Sequence, residues 1–149
     1  KYLSQGISIP GLYSERAQIV CALDTSGSVP DESLSSALGE TFGIAKGLGL
    51  GFHVLTCDAE IQDDFVMKSL SDVDKIKIRG RGGTSFIPVF DYIKKLQLKP
   101  RLLIYFTDLY GSFPNHQSIP TIWIDMMNGT KRPPFGRVIR YPAEKKVSK

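Results

Sequence analysis

Cysteine and histidine are scarce in this chain, with two of each, Cys21 and Cys57, His53 and His116, spread across 149 residues. A zinc site built on nitrogen and sulfur wants more ligands at closer spacing than these supply. Both cysteines lie in or beside apolar, strand-like runs, which fits buried reduced thiols rather than a disulfide framework. No apolar run is long enough to span a bilayer, and no charged-then-apolar leader opens the sequence. The expectation is a soluble, cytoplasmic protein with no membrane partner. HExxH and Walker A motifs are missing, as are internal repeats and low-complexity tracts, so peptidase and nucleoside-triphosphatase chemistry find no motif here.

What is present is an ordinary globular balance, 42% hydrophobic and 23% charged, in a length that suits one domain. The net charge of +4 comes largely from the C-terminal part, where Lys131, Arg132, Arg137, Arg140, Lys145, Lys146 and Lys149 face one acid, Glu144. Residues 1–16 read as an N-terminal arm and 142–149 as a basic tail, expected to be a solvated end. Nucleic-acid binding through that tail is a lesser alternative, and it would weaken steeply with salt.

"AQIVCAL", residues 17–23, is apolar without alternation, the pattern of a strand buried on both faces of a parallel sheet. A polar loop, "DTSGS", follows. Pro30, the acids Asp31 and Glu32, and Leu34, Leu38, Ala45 and Leu48 at helical spacing then predict a helix that Gly47 and Gly49 stop. "KGLGLG" at that point imitates a dinucleotide loop, but such a loop must follow a strand and open a helix. Further strands are predicted at "LGFHVLT" (50–56), "IQDDFVM" (61–67, at an edge), "RLLIYFTD" (101–108), "TIWIDM" (121–126) and "RVIRY" (137–141). Helices are predicted weakly at "SDVDKIKI" and clearly over 86–97. Alternation of strand and helix favours a parallel sheet covered on both faces.

In such a sheet, loops leaving the C-terminal strand ends converge where the strand order reverses. Asp24, Ser26 and Ser28 on the first loop, Thr84 after the glycine-rich "RGRGG", and Asp108 after "LLIYFT" are all hard oxygen donors expected on that rim. Two carboxylates with small hydroxyls suit Mg²⁺ retaining several waters, with Mn²⁺ or Ca²⁺ as alternatives. A coordination position left to water can accept a carboxylate from another molecule. The plainer reading of "DTSGS" is an N-cap turn in which Ser28 or Asp24 serves the next helix, and Thr84 could likewise cap the helix near Phe86. Asp58 in "TCDAE" is either a hydrogen-bond acceptor beside the site or a turn residue. His116 is a loop histidine near the rim, and Tyr110 and Phe113 either shape the rim or pin their loop to the body.

The series DxSxS, then Thr, then Asp, matched by Asp24, Ser26, Ser28, Thr84 and Asp108, resembles the metal-ion-dependent adhesion site (MIDAS) of von Willebrand factor A (VWA) domains. "CDAEI", "RGGTSFIPVFDYI", "LIYFTDLYGSFP", "TIWIDM" and "PPFGRVIRYP" look like the VWA-like C-terminal domain of bacterial and phage metallopeptidase-like proteins encoded near MoxR-type AAA+ ATPases. The resemblance spans about residues 17–141 and implies a Rossmann-like α/β fold, a six-stranded, mostly parallel sheet with one antiparallel edge strand, flanked by helices. It further implies that the chain is the C-terminal part of a longer protein and binds Mg²⁺ at those five residues. Ser26 and Ser28 would be direct ligands, Asp24 and Asp108 would act chiefly through water or hydroxyls, and Thr84 would bind directly or through water. The implied function is metal-dependent binding of a protein that donates Glu or Asp, with a MoxR-type ATPase as one partner. The competing reading is a metal-assisted hydrolase in which His116 or Asp58 handles the proton. Two departures from the family pattern stand out: Arg79 and Arg81 bring positive charge to the second loop, and Leu109 follows the acid where many relatives have Gly.

Overall fold

The computed structural model describes residues 18–25, 29–76, 84–115, 117–127 and 129–141. Its elements are β1 (Gln18–Asp24), α1 (Asp31–Gly47), β2 (Gly51–Cys57), β3 (Ile61–Val66), a 3₁₀ turn (Leu70–Lys75), α2 (Ile87–Lys95), β4 (Leu102–Thr107), β5 (Thr121–Asp125) and β6 (Arg137–Arg140). They form one six-stranded sheet in the order β3-β2-β1-β4-β5-β6. β3 runs antiparallel to β2, and every other pairing is parallel. The expected architecture, with its antiparallel edge, is therefore the observed one. The weak helix at "SDVDKIKI" is a 3₁₀ turn closed by a capping box between Ser69 and Asp72.

Unbroken apolarity in β1 has a direct cause in the packing. Ile19, Cys21 and Leu23 face one core with Leu34, Leu38, Phe42 and Ala45 of α1, while Val20 and Ala22 face a second core with Val89, Phe90 and Ile93 of α2. A strand covered on both sides has no solvent face on which to place polar residues. The expected helix stop is also present, since α1 ends at Gly47 and Gly49 takes φ +75°. The cysteines are free and buried.

Aromatic rings dominate the α2 side. Tyr105 stacks on Trp123 with centroids 5.2 Å apart, Phe86 and Phe113 meet the same indole edge-on, and Trp123 Nε1 donates to the Phe135 carbonyl at 2.9 Å. Phe113 thus pins the β4–β5 connection to the body. Gly136 makes this packing possible: at φ +83° its Cβ would stand 2.8 Å from both the Thr121 carbonyl and Trp123 Nε1. Among the described residues, no helix is long and apolar enough to cross a membrane.

Strand order places the site. The chain leaves β1 through α1 to reach β2 on one side and passes through α2 to reach β4 on the other. The crevice opens where these connections diverge, at the C-terminal ends of β1 and β4.

Candidate metal centre

Four neighbouring strands end in an acid at this rim: Asp24 on β1, Asp58 just past β2, Asp108 just past β4 and Asp125 on β5. All are buried, at 1%, 6%, 6% and 1% exposure. Burying a carboxylate is costly unless donors meet it, so each partner set defines what that acid does.

Asp58 and Asp125 are spent on their own turns. Asp58 Oδ1 accepts the N–H groups of Ala59 at 2.5 Å and Glu60 at 3.1 Å and the Gln62 amide at 3.1 Å. Burial pushes the Asp58 carboxyl up, but donors from Glu60, Gln62 and Ala59 outweigh it and hold the group below the usual carboxylate range. The Asp58 side chain thus closes its own turn through Oδ1, and its backbone carbonyl accepts Ser85 N at 3.1 Å. Asp125 accepts Met127 N at 3.0 Å through Oδ1 and Gly129 N at 3.1 Å through Oδ2.

Asp24 reaches across the sheet, and Asp108 takes one N–H of its own turn. Asp24 Oδ2 accepts the Thr107 hydroxyl at 2.5 Å across the β1–β4 seam, and Thr107 Oγ1 accepts Leu109 N at 3.0 Å. Asp108 Oδ1 accepts Tyr110 N at 2.9 Å. The N-cap of α1 is Pro30, which makes no side-chain cap bond, while Asp24 serves the strand seam. The N-cap of α2 is Phe86 rather than Thr84, also with no side-chain cap bond. Thr84 instead sits in a short bridge between Ser85 and Ser112, with Ser112 N donating to the Thr84 carbonyl at 3.3 Å and Phe86 N to the Ser112 carbonyl at 2.9 Å. Gly111 permits that approach, because a Cβ there would lie 2.8 Å from Thr84 Cγ2. Thr84 is thereby docked against the loop that carries Asp108.

Leu109 occupies a left-handed conformation, φ +71°, and is fully buried. The departure from glycine therefore keeps the backbone shape that glycine would favour and adds an apolar anchor beneath the loop. Thr25 is buried as well, and its Oγ1 has no hydrogen-bond partner among the described residues. Cys57, beside the crevice, is held as a neutral thiol by its surroundings. Burial pushes its thiol up to about 12; the Tyr105 hydroxyl pulls it down, and the negative charges of Asp58, Asp24 and Glu60 add to the rise.

Ser26, Ser28, Arg79, Arg81 and His116 lie outside the described residues. Among those described, no three His, Cys, Asp or Glu side chains gather as a cation site. The described part of the expected set, Asp24, Thr84 and Asp108, consists of oxygen donors from three loops on one rim. That chemistry fits a hard divalent cation whose remaining ligands are hydroxyls and water.

Thr107, Gly111 and Asp125 escaped the sequence reading. Asp125 carries the same signal that singled out Asp108, an acid closing a buried strand, and could have been found by it. Nothing local marks Thr107 or Gly111.

The model of a family described as "VWA-like domain (DUF2201)" matches residues 19–141. A search of curated proteins finds no match.

Proposed function

We propose, from the premise that this chain belongs to the VWA-like domain (DUF2201) family, that it is a metal-dependent protein-binding module. Asp24, Ser26, Ser28, Thr84 and Asp108 would hold Mg²⁺, with Mn²⁺ or Ca²⁺ as substitutes. The cation would supply a Lewis-acidic position open to a carboxylate from a partner protein. A MoxR-type AAA+ ATPase, or a segment preceding Lys1 in a longer protein, is the partner that the family resemblance suggests.

One observation carries this reading: Asp24 and Asp108 stand at the C-terminal ends of adjacent strands, with Thr84 docked against the loop that carries Asp108. The Thr107 hydroxyl restrains the Asp24 carboxylate at the rim, which supports reading it as a preorganised donor.

Thermal unfolding in Mg²⁺ against EDTA tests it. A ligand that binds only the folded state at 100 times its Kd adds about 2.7 kcal/mol, which for a chain of this size raises Tm by about 5 to 10 °C. The rise is expected in the native chain with Mg²⁺ or Mn²⁺ and should vanish in Asp24→Asn and Asp108→Asn. An equal rise in both variants would falsify the assignment.

A further inference from the structure

Beside the candidate metal centre lies a surface that ligation does not require. Tyr110 is 53% exposed, although it follows Asp108 by two residues and its N–H is tied to that carboxylate. Its ring is nevertheless held. One edge rests on the loop after β5, where a Cβ on Gly129 would stand 3.8 Å from Tyr110 Cε2 and 3.9 Å from its hydroxyl oxygen. Lys131 Nζ lies 5.5 Å from the ring centroid, a cation–π contact. The same loop presents Met127, 47% exposed, and is itself fixed from below by Asp125, whose two oxygens take the N–H groups of Met127 and Gly129. Asp125 therefore has a structural product: a rigid shelf for Tyr110.

We propose that Tyr110, Met127, Lys131 and Arg132 form the docking platform that selects the partner, and that the partner is an acidic peptide segment with an apolar side chain next to its metal-seeking carboxylate. This deepens the metal-dependent reading and rests on it. A preorganised, half-exposed aromatic is the kind of group that contributes most at interfaces, since little conformational freedom is lost when it is covered. Charge fixes the occupant's sign. The rim's four carboxylates are buried, while Lys131 over the ring and its chain neighbour Arg132, bonded to the Lys131 carbonyl, are exposed. An acid flanking the apolar residue would pair with them and leave the apolar side chain over Tyr110 and Met127. Tyrosine flanked by cations also suits a stacked nucleotide. Met127 offers no stacking face, however, so the surface favours an apolar side chain over a base.

The test is an NMR titration of the ¹⁵N-labelled full chain with the peptide acetyl-Gly-Glu-Leu-Asp-Gly-amide, in Mg²⁺ and in EDTA, with a six-nucleotide oligothymidylate as the rival ligand. The peptide is expected to move the amide resonances of Tyr110, Met127 and Lys131. Its affinity should fall about fivefold or more in Tyr110→Ala and about threefold or more in Lys131→Glu. The Mg²⁺-induced rise in Tm should be the same in both variants as in the native chain, separating the platform from the metal. Peptide affinity indifferent to both substitutions overturns the proposal, as does oligothymidylate binding more tightly than the peptide in a Tyr110-dependent way. Failure of the metal reading shows separately, as no Tm response to Mg²⁺ in the native chain. In that event Tyr110-dependent peptide binding in EDTA still supports the platform, and its loss in EDTA overturns it.

Discussion

The Thr107 hydroxyl donates to Asp24 Oδ2 at 2.5 Å and accepts Leu109 N at 3.0 Å, so one buried side chain joins β1, β4 and the loop that carries Asp108. Both ends of the candidate carboxylate pair are set by this residue.

Thr107→Val keeps the shape and removes both bonds. It takes one donor from a buried carboxylate and leaves the Leu109 N–H without its acceptor, each of which costs about 1 to 3 kcal/mol. The expected result is a lower urea midpoint with an unchanged slope, and recovery of most of the loss in Thr107→Ser. A Thr107→Val protein as stable as the native chain would show that the hydroxyl does not hold the seam.

Leu109→Gly sets two effects against each other. Glycine relieves the left-handed strain at φ +71°, about 1 to 2 kcal/mol. Loss of the buried leucine side chain costs about 2 to 5 kcal/mol, cavity included. Burial wins, and the variant is expected to be less stable by about 1 to 3 kcal/mol. A gain in stability, read by the same urea titration, would mean that strain dominates and that the leucine is not an anchor.

A third prediction concerns the far side of the sheet. Asp64 on the edge strand β3 bonds His53 of β2 through Oδ1 and the Tyr92 hydroxyl of α2 through Oδ2. Burial raises the Asp64 carboxyl, but the His53 and Tyr92 donors outweigh it and hold the group below the usual range. A depressed folded-state pKa stabilises the protein in full above the unfolded value, about 3.9. That contribution is lost as pH falls through the lower folded value. Between about pH 5 and about pH 2.5 the native chain should therefore lose more stability than Asp64→Asn. Equal losses would sink the idea. Tyr92, pushed up to about 12 by burial and by the Asp64 carboxylate, should correspondingly resist ionisation in an alkaline absorbance titration.

Legibility differed by kind of information. Asp24, Thr84 and Asp108 could be read because each follows a local pattern: an acid closing a buried run, or a hydroxyl after a glycine-rich loop. Tyr110 and Phe113 were indistinguishable in sequence, two aromatics in one loop. Their fates diverged because Phe113 reaches Phe86 and Trp123 in the core while Tyr110 meets a glycine shelf from another connection. The capping roles open to Asp24 and Thr84 were equally reasonable locally. In the structure Asp24 accepts a donor across the strand seam, and the Thr84 backbone joins the bridge region at Ser112.

By itself, the order of apolar runs, polar loops and helix stops determined an α/β sheet with 61–67 at an edge, because a strand covered on both faces must be apolar throughout and the half-covered edge can alternate; the antiparallel direction of that edge came from the family resemblance. The same order also determined which residue types reach the rim. Only the tertiary structure decided which donors meet each of the four buried acids, since that depends on where N–H and hydroxyl groups from other segments fall. A carboxylate's chemistry is set by its neighbours in space, and along the chain those neighbours lie as far away as Asp24 from Thr107.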